Sequence, residues 1–317
     1  MSDPEPDRYS RLRLIQWWQQ ERVKEARILV VGAGALGNEV LKNLALAGVG
    51  RVFIVDFDKV EVSNLSRAIL FRSEDAGKYK APVAAERITE INSDVQAKSI
   101  VADINWDIGL GFVRRMDVVI ACLDNREARL SLNRLCWRTS VPWVDGGLDE
   151  FTGLARVFVP PAGACYECTL SDTDYEFLGM RYSCTPVDPS TLITHPTPTT
   201  PTTASIIAAI QVQEALKLLH RPEGVSLLEG KGLLFDGLAN TVDSITYPRS
   251  VTCSSHETYT SIHELPEASV NWSLNCFLRF VAKRWKLTNA VIELRYELVL
   301  TLDCLTCGGH EAVLAPL

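Results

Sequence analysis

The stretch Arg27–Gly37, RILVVGAGALG, decides the fold class of this chain of 317 residues. After the arginine, four consecutive apolar residues are typical of a parallel strand that is buried on both faces. The glycine-rich turn GAGALG follows, and residues Asn38–Ala47 have a helical pattern that ends at Gly48. A second apolar run, Val52–Val55, closes at Asp56. The pattern therefore predicts a strand, a glycine turn, a helix and a second strand.

Strands and helices continue to alternate further along the chain. Helical patterns at Ala81–Ile91 and Asn125–Thr139 alternate with strand-like runs at Ala97–Val101 and Asp117–Ala121. Because such alternation is typical of helices packed on both faces of a parallel sheet, we predict a doubly wound, mainly parallel α/β fold. The preceding segment, Tyr9–Ala26, is also predicted to be helical.

The composition changes in the second half of the chain. Residues 160–203 are rich in proline and threonine and predict a long irregular loop, and a loop of this length is usually either functional or disordered. A helix is expected to begin at Ala204. Near the C-terminus, a helical stretch at Ser273–Lys286 and an alternating stretch at Val291–Leu302 predict a small α+β appendage.

Charge and cysteine content narrow the class of protein. A formal net charge of -7 argues against a general nucleic-acid binder, whose surface would be basic. The polar start of the chain and the lack of a long apolar run predict no secretion signal and no membrane span, so a cytoplasmic location is expected. In that setting the nine cysteines are more often metal ligands or nucleophiles than disulfides.

The glycine turn predicts a nucleotide site. Gly32 permits the tight turn, Gly34 lets the backbone approach a phosphate, and Gly37 allows helix and strand to pack closely. The helix N-terminus supplies N–H donors, and Asp56 stands where a carboxylate would hold ribose hydroxyls. These features alone favour an NAD-dependent oxidoreductase.

The residues after Asp56 indicate a different ligand. Asn64, Arg67 and Lys80 are expected near the nucleotide end of the sheet. Two cations and an amide at that position suit a triphosphate, whose negative charge needs compensation.

These motifs resemble the superfamily that includes ubiquitin-activating enzymes and the adenylyltransferases of molybdopterin and thiamine biosynthesis. The similarity covers roughly residues 8–256. It is carried by Arg8-Tyr-Ser-Arg11, the glycine turn, Asp56-Phe-Asp58, Ser63-Asn-Leu-Ser-Arg67, Lys80 and Cys122-Leu-Asp124-Asn125. The resemblance implies a Rossmann-like adenylation domain that uses ATP and Mg²⁺.

The resemblance also implies roles for individual residues. It implies a nucleotide site made of Gly32, Gly34, Gly37, Asp56, Asp58, Ser63, Asn64, Arg67, Lys80 and Asp124. Within that set, Asp56 would hold the ribose, and Asn64, Arg67 and Lys80 would contact phosphates. Asp124 corresponds to the magnesium-binding aspartate. Arg11 corresponds to an arginine that reaches the neighbouring subunit's ATP site, which implies a homodimer or a dimer of related chains.

Cysteine spacing predicts a zinc site. Cys165 and Cys168 form a C-x-x-C pair with the spacing of zinc ligands. Two second pairs are available, Cys253 with His256 and Cys304 with Cys307. The resemblance favours Cys253 and His256, because the second pair of the family follows the strand after the late helix. Three interpretations of Cys304 and Cys307 stay open: the second pair of this zinc site, a separate metal site, or two ordinary thiols.

A further cysteine, Cys184, lies in the sequence RYSCTP within the Pro/Thr-rich loop. This segment resembles the catalytic-cysteine segment of ubiquitin- and Nedd8-activating enzymes. The resemblance implies that Cys184 forms a thioester with a ubiquitin-like protein, and that the loop 169–203 is the crossover loop of an adenylation domain spanning residues 1–256. The thiolate would be the attacking species.

The C-terminal region, residues 257–317, weakly resembles the ubiquitin-fold domain that recruits a conjugating enzyme. A helix and hairpin that simply pack on the main domain explain it equally well. The compact length would suit a bacterial ubiquitin-like conjugation operon.

Four functions are therefore open. The sequence favours an activating enzyme for a ubiquitin-like modifier that passes its thioester to a conjugating enzyme. A sulfur-carrier-protein adenylyltransferase, a non-catalytic scaffold that binds a ubiquitin-like protein, and a nicotinamide dehydrogenase are the alternatives. The retained Asp56, Arg67, Lys80 and Asp124 argue against the scaffold.

Overall fold

The computed structural model describes residues 7–175, 198–269, 271–292, 298–303 and 307–316. The chain divides into two compact units, and the described part of the first ends at Thr260. Within the described residues, no helix combines the length and the apolar character needed to cross a bilayer.

The first unit is built on one sheet of eight strands. The strands are β1 (Arg27–Val31), β2 (Arg51–Val55), β3 (Gln96–Ile100), β4 (Val118–Ala121), β5 (Trp143–Asp149), β6 (Thr152–Phe158), β7 (Lys231–Asp236) and β8 (Thr241–Thr246). Their order is β3-β2-β1-β4-β5-β6-β7-β8. The pairs are parallel from β3 to β5 and antiparallel from β5 to β8. The predicted fold class, a doubly wound and mainly parallel sheet, is confirmed.

Helices cover both faces of this sheet. They are α1 (Gln20–Glu25), α2 (Ala35–Ala47), α3 (Lys80–Ile91), α4 (Leu110–Val113), α5 (Arg126–Thr139) and α6 (Pro201–His220). The central strand β1 explains the arrangement, because its side chains alternate between two buried clusters. Ile28 and Val30 pack with α2, α3 and α6, whereas Leu29 and Val31 pack with α4 and α5. The apolar run after Arg27 is continuous because both faces of the strand are buried.

The prediction of one helix over Tyr9–Ala26 is wrong. This segment contains a 3-10 turn at Leu12–Leu14, an extended Ile15 and the short helix α1. Trp17 and Trp18 lie against the ring of His220, at centroid distances of 5.2 and 5.1 Å. Tertiary contacts with the end of α6 therefore outweigh the local helical pattern.

Helix α6 begins earlier than predicted, at Pro201 instead of Ala204. The Thr200 side chain accepts a hydrogen bond from the backbone N–H of Thr203, and proline occupies the first helical turn. Both features are standard helix-start signals, because proline lacks the N–H that the first turn leaves unpaired.

The second unit contains α7 (Leu274–Trp285) and the antiparallel strands β9 (Leu298–Asp303) and β10 (His310–Pro316). The Ser273 side chain caps α7 by accepting a hydrogen bond from the N–H of Cys276. Helix α7 lies within the helical stretch predicted at Ser273–Lys286, and β9 overlaps the end of the alternating stretch predicted at Val291–Leu302, whereas β10 was not predicted.

Candidate functional site

The candidate site lies at the carboxyl ends of β1 and β4, where the strand order reverses. From β1 the chain proceeds outward to β2 and β3, and then crosses back to β4 on the other side of β1. Such a switch point leaves a crevice that binds ligands in open α/β sheets. The N–H of Cys122, just after β4, donates to the carbonyl of Val31 at 2.8 Å. This contact joins the glycine turn to the segment that carries Asp124.

The three glycines of the turn meet different surroundings. Gly32 has φ of +94°, and a methyl group there would lie 2.3 Å from the carbonyl oxygen of Cys122. A methyl group on Gly37 would lie 2.0 Å from the carbonyl oxygen of Gly32. A methyl group on Gly34 would meet no protein atom within 4 Å. The protein's own backbone therefore requires Gly32 and Gly37, whereas Gly34 leaves open space in front of α2.

Helix α2 presents an uncapped N-terminus to that space. Gly34 is its N-cap residue and offers no side chain to the first N–H groups of the helix. Such donors, together with the positive end of the helix dipole, favour an anion.

The buried Asn38 fixes the turn, a role that sequence analysis missed. Its amide donates to the Ala33 carbonyl at 2.7 Å, and its oxygen accepts from the N–H of Leu70 at 2.8 Å. In the sequence, this role is indicated only by an asparagine within the apolar first turn of α2.

Asp56 is buried at the end of β2 and supports the same turn. One carboxylate oxygen accepts from the N–H of Ala33 at 2.7 Å, and the other accepts from the N–H of Asp58 at 2.8 Å. Burial raises the pKa of Asp56, and these two donors and the nearby Lys80 only partly oppose that effect. A carboxylate offers about four acceptor positions, so Asp56 retains capacity for ribose hydroxyls.

Two of the predicted phosphate-binding residues are cations held by neighbouring groups. Lys80 begins α3, and its ammonium lies 2.8 Å from the Asp58 carboxylate. Arg67 donates to the Ser63 carbonyl at 2.9 Å. The third residue, Asn64, accepts a hydrogen bond from the N–H of Glu61 at 3.0 Å through its side-chain oxygen. Both cations keep further N–H donors, because each of these contacts uses one.

Asp124 lies on the opposite side of the crevice and is exposed. The neighbouring Asn125 caps α5, and its amide donates to the Asp124 carboxylate at 3.1 Å. An exposed carboxylate at this position suits Mg²⁺, which takes one or two carboxylates together with phosphate oxygens.

A cluster of three buried or partly buried charged residues contacts the segment that carries Asp124. Sequence analysis missed this cluster. Asp145 is fully buried and accepts from the Nε of Arg129 at 2.9 Å and from the Nε of Arg156 at 3.0 Å. Arg129 also donates to the carbonyls of Leu123 and Gly146. The strand and helix patterns contain no signal that these three charged residues meet.

The four predicted zinc ligands come together beside α5. Cys165 and Cys168 have sulfur atoms 3.7 Å apart, and the sulfur of Cys253 lies 3.5 Å from that of Cys165. Nε2 of His256 lies 3.2 Å from the sulfur of Cys168, and all four atoms lie within 4.8 Å of one another. A tetrahedral zinc ion with Zn–S bonds of about 2.3 Å would place its sulfurs about 3.8 Å apart. The donor set therefore fits zinc.

The surroundings of this cluster favour a closed structural site. The ring of His256 lies on that of Trp137, with centroids 4.5 Å apart. Burial raises the pKa of Cys165 and Cys253, so these thiols need a cation to become thiolates. Burial and the Arg249 guanidinium lower the pKa of His256, which favours the neutral imidazole that binds metals.

Four other predicted residues are not seen in these clusters, and two of them are not among the described residues. Arg11 is exposed, and its side chain forms no hydrogen bond or ion pair with any residue that the structure describes. Cys184 and Cys304 lie outside the described residues, whereas Cys307 is described and exposed. Near the end of the predicted crossover loop, the carbonyl of Pro198 accepts from the N–H of Glu150 at 2.6 Å, which joins that end to the β5–β6 turn.

The fold is a doubly wound α/β sheet with an open crevice at its switch point. Residues 7–255 match the ThiF family, and the chain belongs to that family. The resemblance that the sequence motifs carried is confirmed at the level of the superfamily. Membership places the chain among adenylyltransferases and activating enzymes.

Individual relatives differ in how much of the chain they share. The sulfur carrier protein ThiS adenylyltransferase of Escherichia coli (strain K12) is 30% identical over 257 residues, which are 80% of this chain and 96% of the relative. The NEDD8-activating enzyme E1 catalytic subunit of Dictyostelium discoideum is 41% identical over 161 residues, which are 45% of this chain and 35% of the relative. The crystal structure of E. coli MccB with ATP has a TM-score of 0.65 at 23% identity, and the similarity covers 81% of this chain and 75% of MccB. That likeness concerns the fold alone.

Proposed function

We propose that this protein uses ATP to adenylate the C-terminal carboxylate of a small ubiquitin-like or sulfur-carrier protein. One observation carries the proposal: the open space at Gly34 lies at the switch point that Asp124 also borders. Arg67 and Lys80 follow the neighbouring strand β2. The names of the relatives, a ThiS adenylyltransferase and a NEDD8-activating subunit, support this class of substrate.

In the proposed reaction, an oxygen of the substrate carboxylate attacks the α-phosphorus of ATP. The bond to the diphosphate group breaks, and diphosphate leaves with the electron pair. The N–H groups of α2, Arg67 and Lys80 would bind the phosphates and neutralise charge, so catalysis would depend on positioning and electrostatics. Asp124 would hold Mg²⁺, which neutralises phosphate charge when bound.

We further propose that Cys184 takes the activated carboxyl group as a thioester. Its thiolate would attack the carbonyl carbon of the adenylate, and AMP would leave. The resemblance of the RYSCTP segment to that of ubiquitin- and Nedd8-activating enzymes supports this step. Transfer to a conjugating enzyme, recruited by residues 257–317, would follow.

An adenylyltransferase that stops at the adenylate is the second candidate. The ThiS adenylyltransferase favours it, because the similarity extends over 96% of that relative. In this case a separate sulfurtransferase would act on the adenylate, and Cys184 would have no required role.

Two accompanying proposals concern assembly. Cys165, Cys168, Cys253 and His256 would hold a zinc ion with all four positions filled, as structural zinc sites require. The exposed Arg11 would reach the ATP site of a second subunit in a homodimer.

A pair of assays tests the proposed function. ATP–diphosphate exchange that depends on a ubiquitin-like partner measures adenylation, and a reductant-sensitive adduct on a non-reducing gel measures the thioester. We expect Cys184→Ala to retain exchange and lose the adduct, and the matched exposed variant Cys276→Ala to retain both. Exchange without any adduct in the wild type would favour the adenylate-only enzyme. A lack of exchange with every partner of this class would refute adenylation.

A further inference from the structure

A second cavity, of about 650 Å³, lies at the edge of the sheet opposite the glycine turn. It is bordered by the first residues of β1 and β2, whereas the glycine turn follows the last residue of β1. The five residues of β1 separate the two places by about 15 Å. This cavity is therefore distinct from the nucleotide site.

Arginine dominates the charge of the cavity. Its charged lining residues are Arg22, Arg27, Arg51, Arg115, Arg221, Glu25 and Asp117. Five guanidinium groups against two carboxylates leave an excess of three positive charges, in a chain whose formal net charge is -7. A positive pocket on an acidic protein is a local feature that overall composition does not explain.

Two of these arginines occupy an unfavourable position. Arg27 and Arg51 are direct register partners on the adjacent parallel strands β1 and β2. Like charges directly opposite each other on a sheet repel and destabilise the pairing. Among the described residues, the side chains of Arg27, Arg51 and Arg221 make no hydrogen bond or ion pair. One oxygen of Asp117 is already engaged by the backbone N–H of Arg27, at 2.7 Å.

One further arginine and two apolar side chains also line the cavity. Arg22 donates to the carbonyl of His220 at 3.2 Å, which fixes its guanidinium beside the end of α6. Leu218 and Ala26 are buried and are apolar members of the lining. An anion bound among these exposed arginines would relieve the repulsion between Arg27 and Arg51.

We infer that this cavity binds a small polyphosphate anion, a molecule with two or three linked phosphate groups. Guanidinium groups bind phosphate oxygens in a bidentate manner, and several of them can share one multivalent anion. The arginines are gathered at one end of the strands, which favours a compact multivalent ligand over an extended acidic protein segment. The inference does not depend on the proposed function, because the cavity shares no residue with the nucleotide site.

Calorimetric titration of inorganic triphosphate tests the inference. The protein is first saturated with a non-hydrolysable ATP analogue and equimolar Mg²⁺, so that the nucleotide site is filled. We expect the wild type to bind triphosphate at one further site, with an affinity that falls as salt rises. Removing two charged donors in the variant Arg51→Gln/Arg221→Gln should weaken this binding by about 100-fold or more.

Matched variants keep the test decisive. Lys98→Gln/Arg279→Gln removes two exposed charges elsewhere and should bind triphosphate like the wild type. Arg51→Lys/Arg221→Lys retains the charge but not the bidentate geometry, so it should bind with intermediate affinity. Equal affinity in the wild type and Arg51→Gln/Arg221→Gln, or no binding by the wild type, would overturn the inference. Binding of a polyglutamate peptide without binding of triphosphate would replace the ligand class with an acidic protein segment.

Discussion

The crevice at the glycine turn and the Cys₃His cluster lie in the same unit but differ in how open they are to solvent. In the crevice, Asp124 is exposed, Asp58 is 53% exposed, and Gly34 faces open space. In the cluster, four donor atoms lie within 4.8 Å and a tryptophan ring covers the histidine. A site for turnover must leave donors available to a ligand that enters and leaves, whereas a structural metal site fills every position from the protein. The comparison predicts that mutations in the cluster affect stability and that mutations in the crevice affect activity.

The largest effect is expected for Cys165→Ser. Loss of a ligand from a closed metal site should remove about one equivalent of zinc and destabilise the protein by more than about 4 kcal/mol. Elemental analysis and thermal denaturation measure the two effects. The exposed Cys276→Ser is the control and should change neither quantity. If Cys165→Ser retained its metal while the exposed Cys307→Ser lost it, the ligand set proposed here would be wrong.

The next effect is expected for Asp124→Asn. Loss of the charged oxygen should lower ATP–diphosphate exchange by about 1000-fold, or about 4 kcal/mol in transition-state free energy, with little change in melting temperature. The exposed Asp172→Asn supplies the control, and its exchange rate should match that of the wild type. Normal exchange by Asp124→Asn would remove this residue from the magnesium site.

Alanine substitutions at Gly37 and Gly34 are expected to have different effects, the first on stability and the second on ATP binding. The Gly37→Ala methyl would overlap the Gly32 carbonyl at 2.0 Å, so we expect a loss of about 2–3 kcal/mol in the free energy of unfolding. The Gly34→Ala methyl meets no protein atom within 4 Å, so stability should stay within about 0.5 kcal/mol of the wild type. We expect Gly34→Ala to raise KM for ATP, because the added methyl group would occupy part of the proposed nucleotide-binding space. Denaturation and exchange kinetics measure these changes, and an unchanged KM would contradict nucleotide binding at Gly34.

The smallest effect is expected from acid titration of Asp75, which precedes Lys80 in the loop between β2 and α3. Burial alone would raise its pKa, but hydrogen bonds from the Lys78 ammonium and the Arg72 N–H outweigh burial and lower the pKa below 3.8. A lowered pKa in the folded state adds stability above pH 3.8, and that stability is lost as pH falls through the folded-state pKa. Melting temperature should therefore fall more steeply with acid in the wild type than in Asp75→Asn. If the two proteins lost melting temperature equally as pH falls, Asp75 would not contribute to the pH dependence of stability.

The two sites also differ in how far sequence could predict them. Most crevice residues come from short segments with local signals, such as the glycine turn and the segment 56–67. The zinc pairs stand 88 residues apart, and spacing alone left two second pairs open. The structure brings Cys253 and His256 beside Cys165 because β7 and β8 extend the sheet and return the chain to α5.

The sequence by itself determined the alternation of strands and helices, the glycine turn and the identity of the polar residues that follow each strand. These features depend on local periodicity and on backbone sterics, which neighbouring residues specify. Only the tertiary structure decided which charges meet. Asp145 lies between Arg129 and Arg156, Trp17 and Trp18 pack on His220 where a helix was predicted, and Arg27 faces Arg51. Such contacts depend on strand register and helix packing between distant segments, for which no local pattern exists.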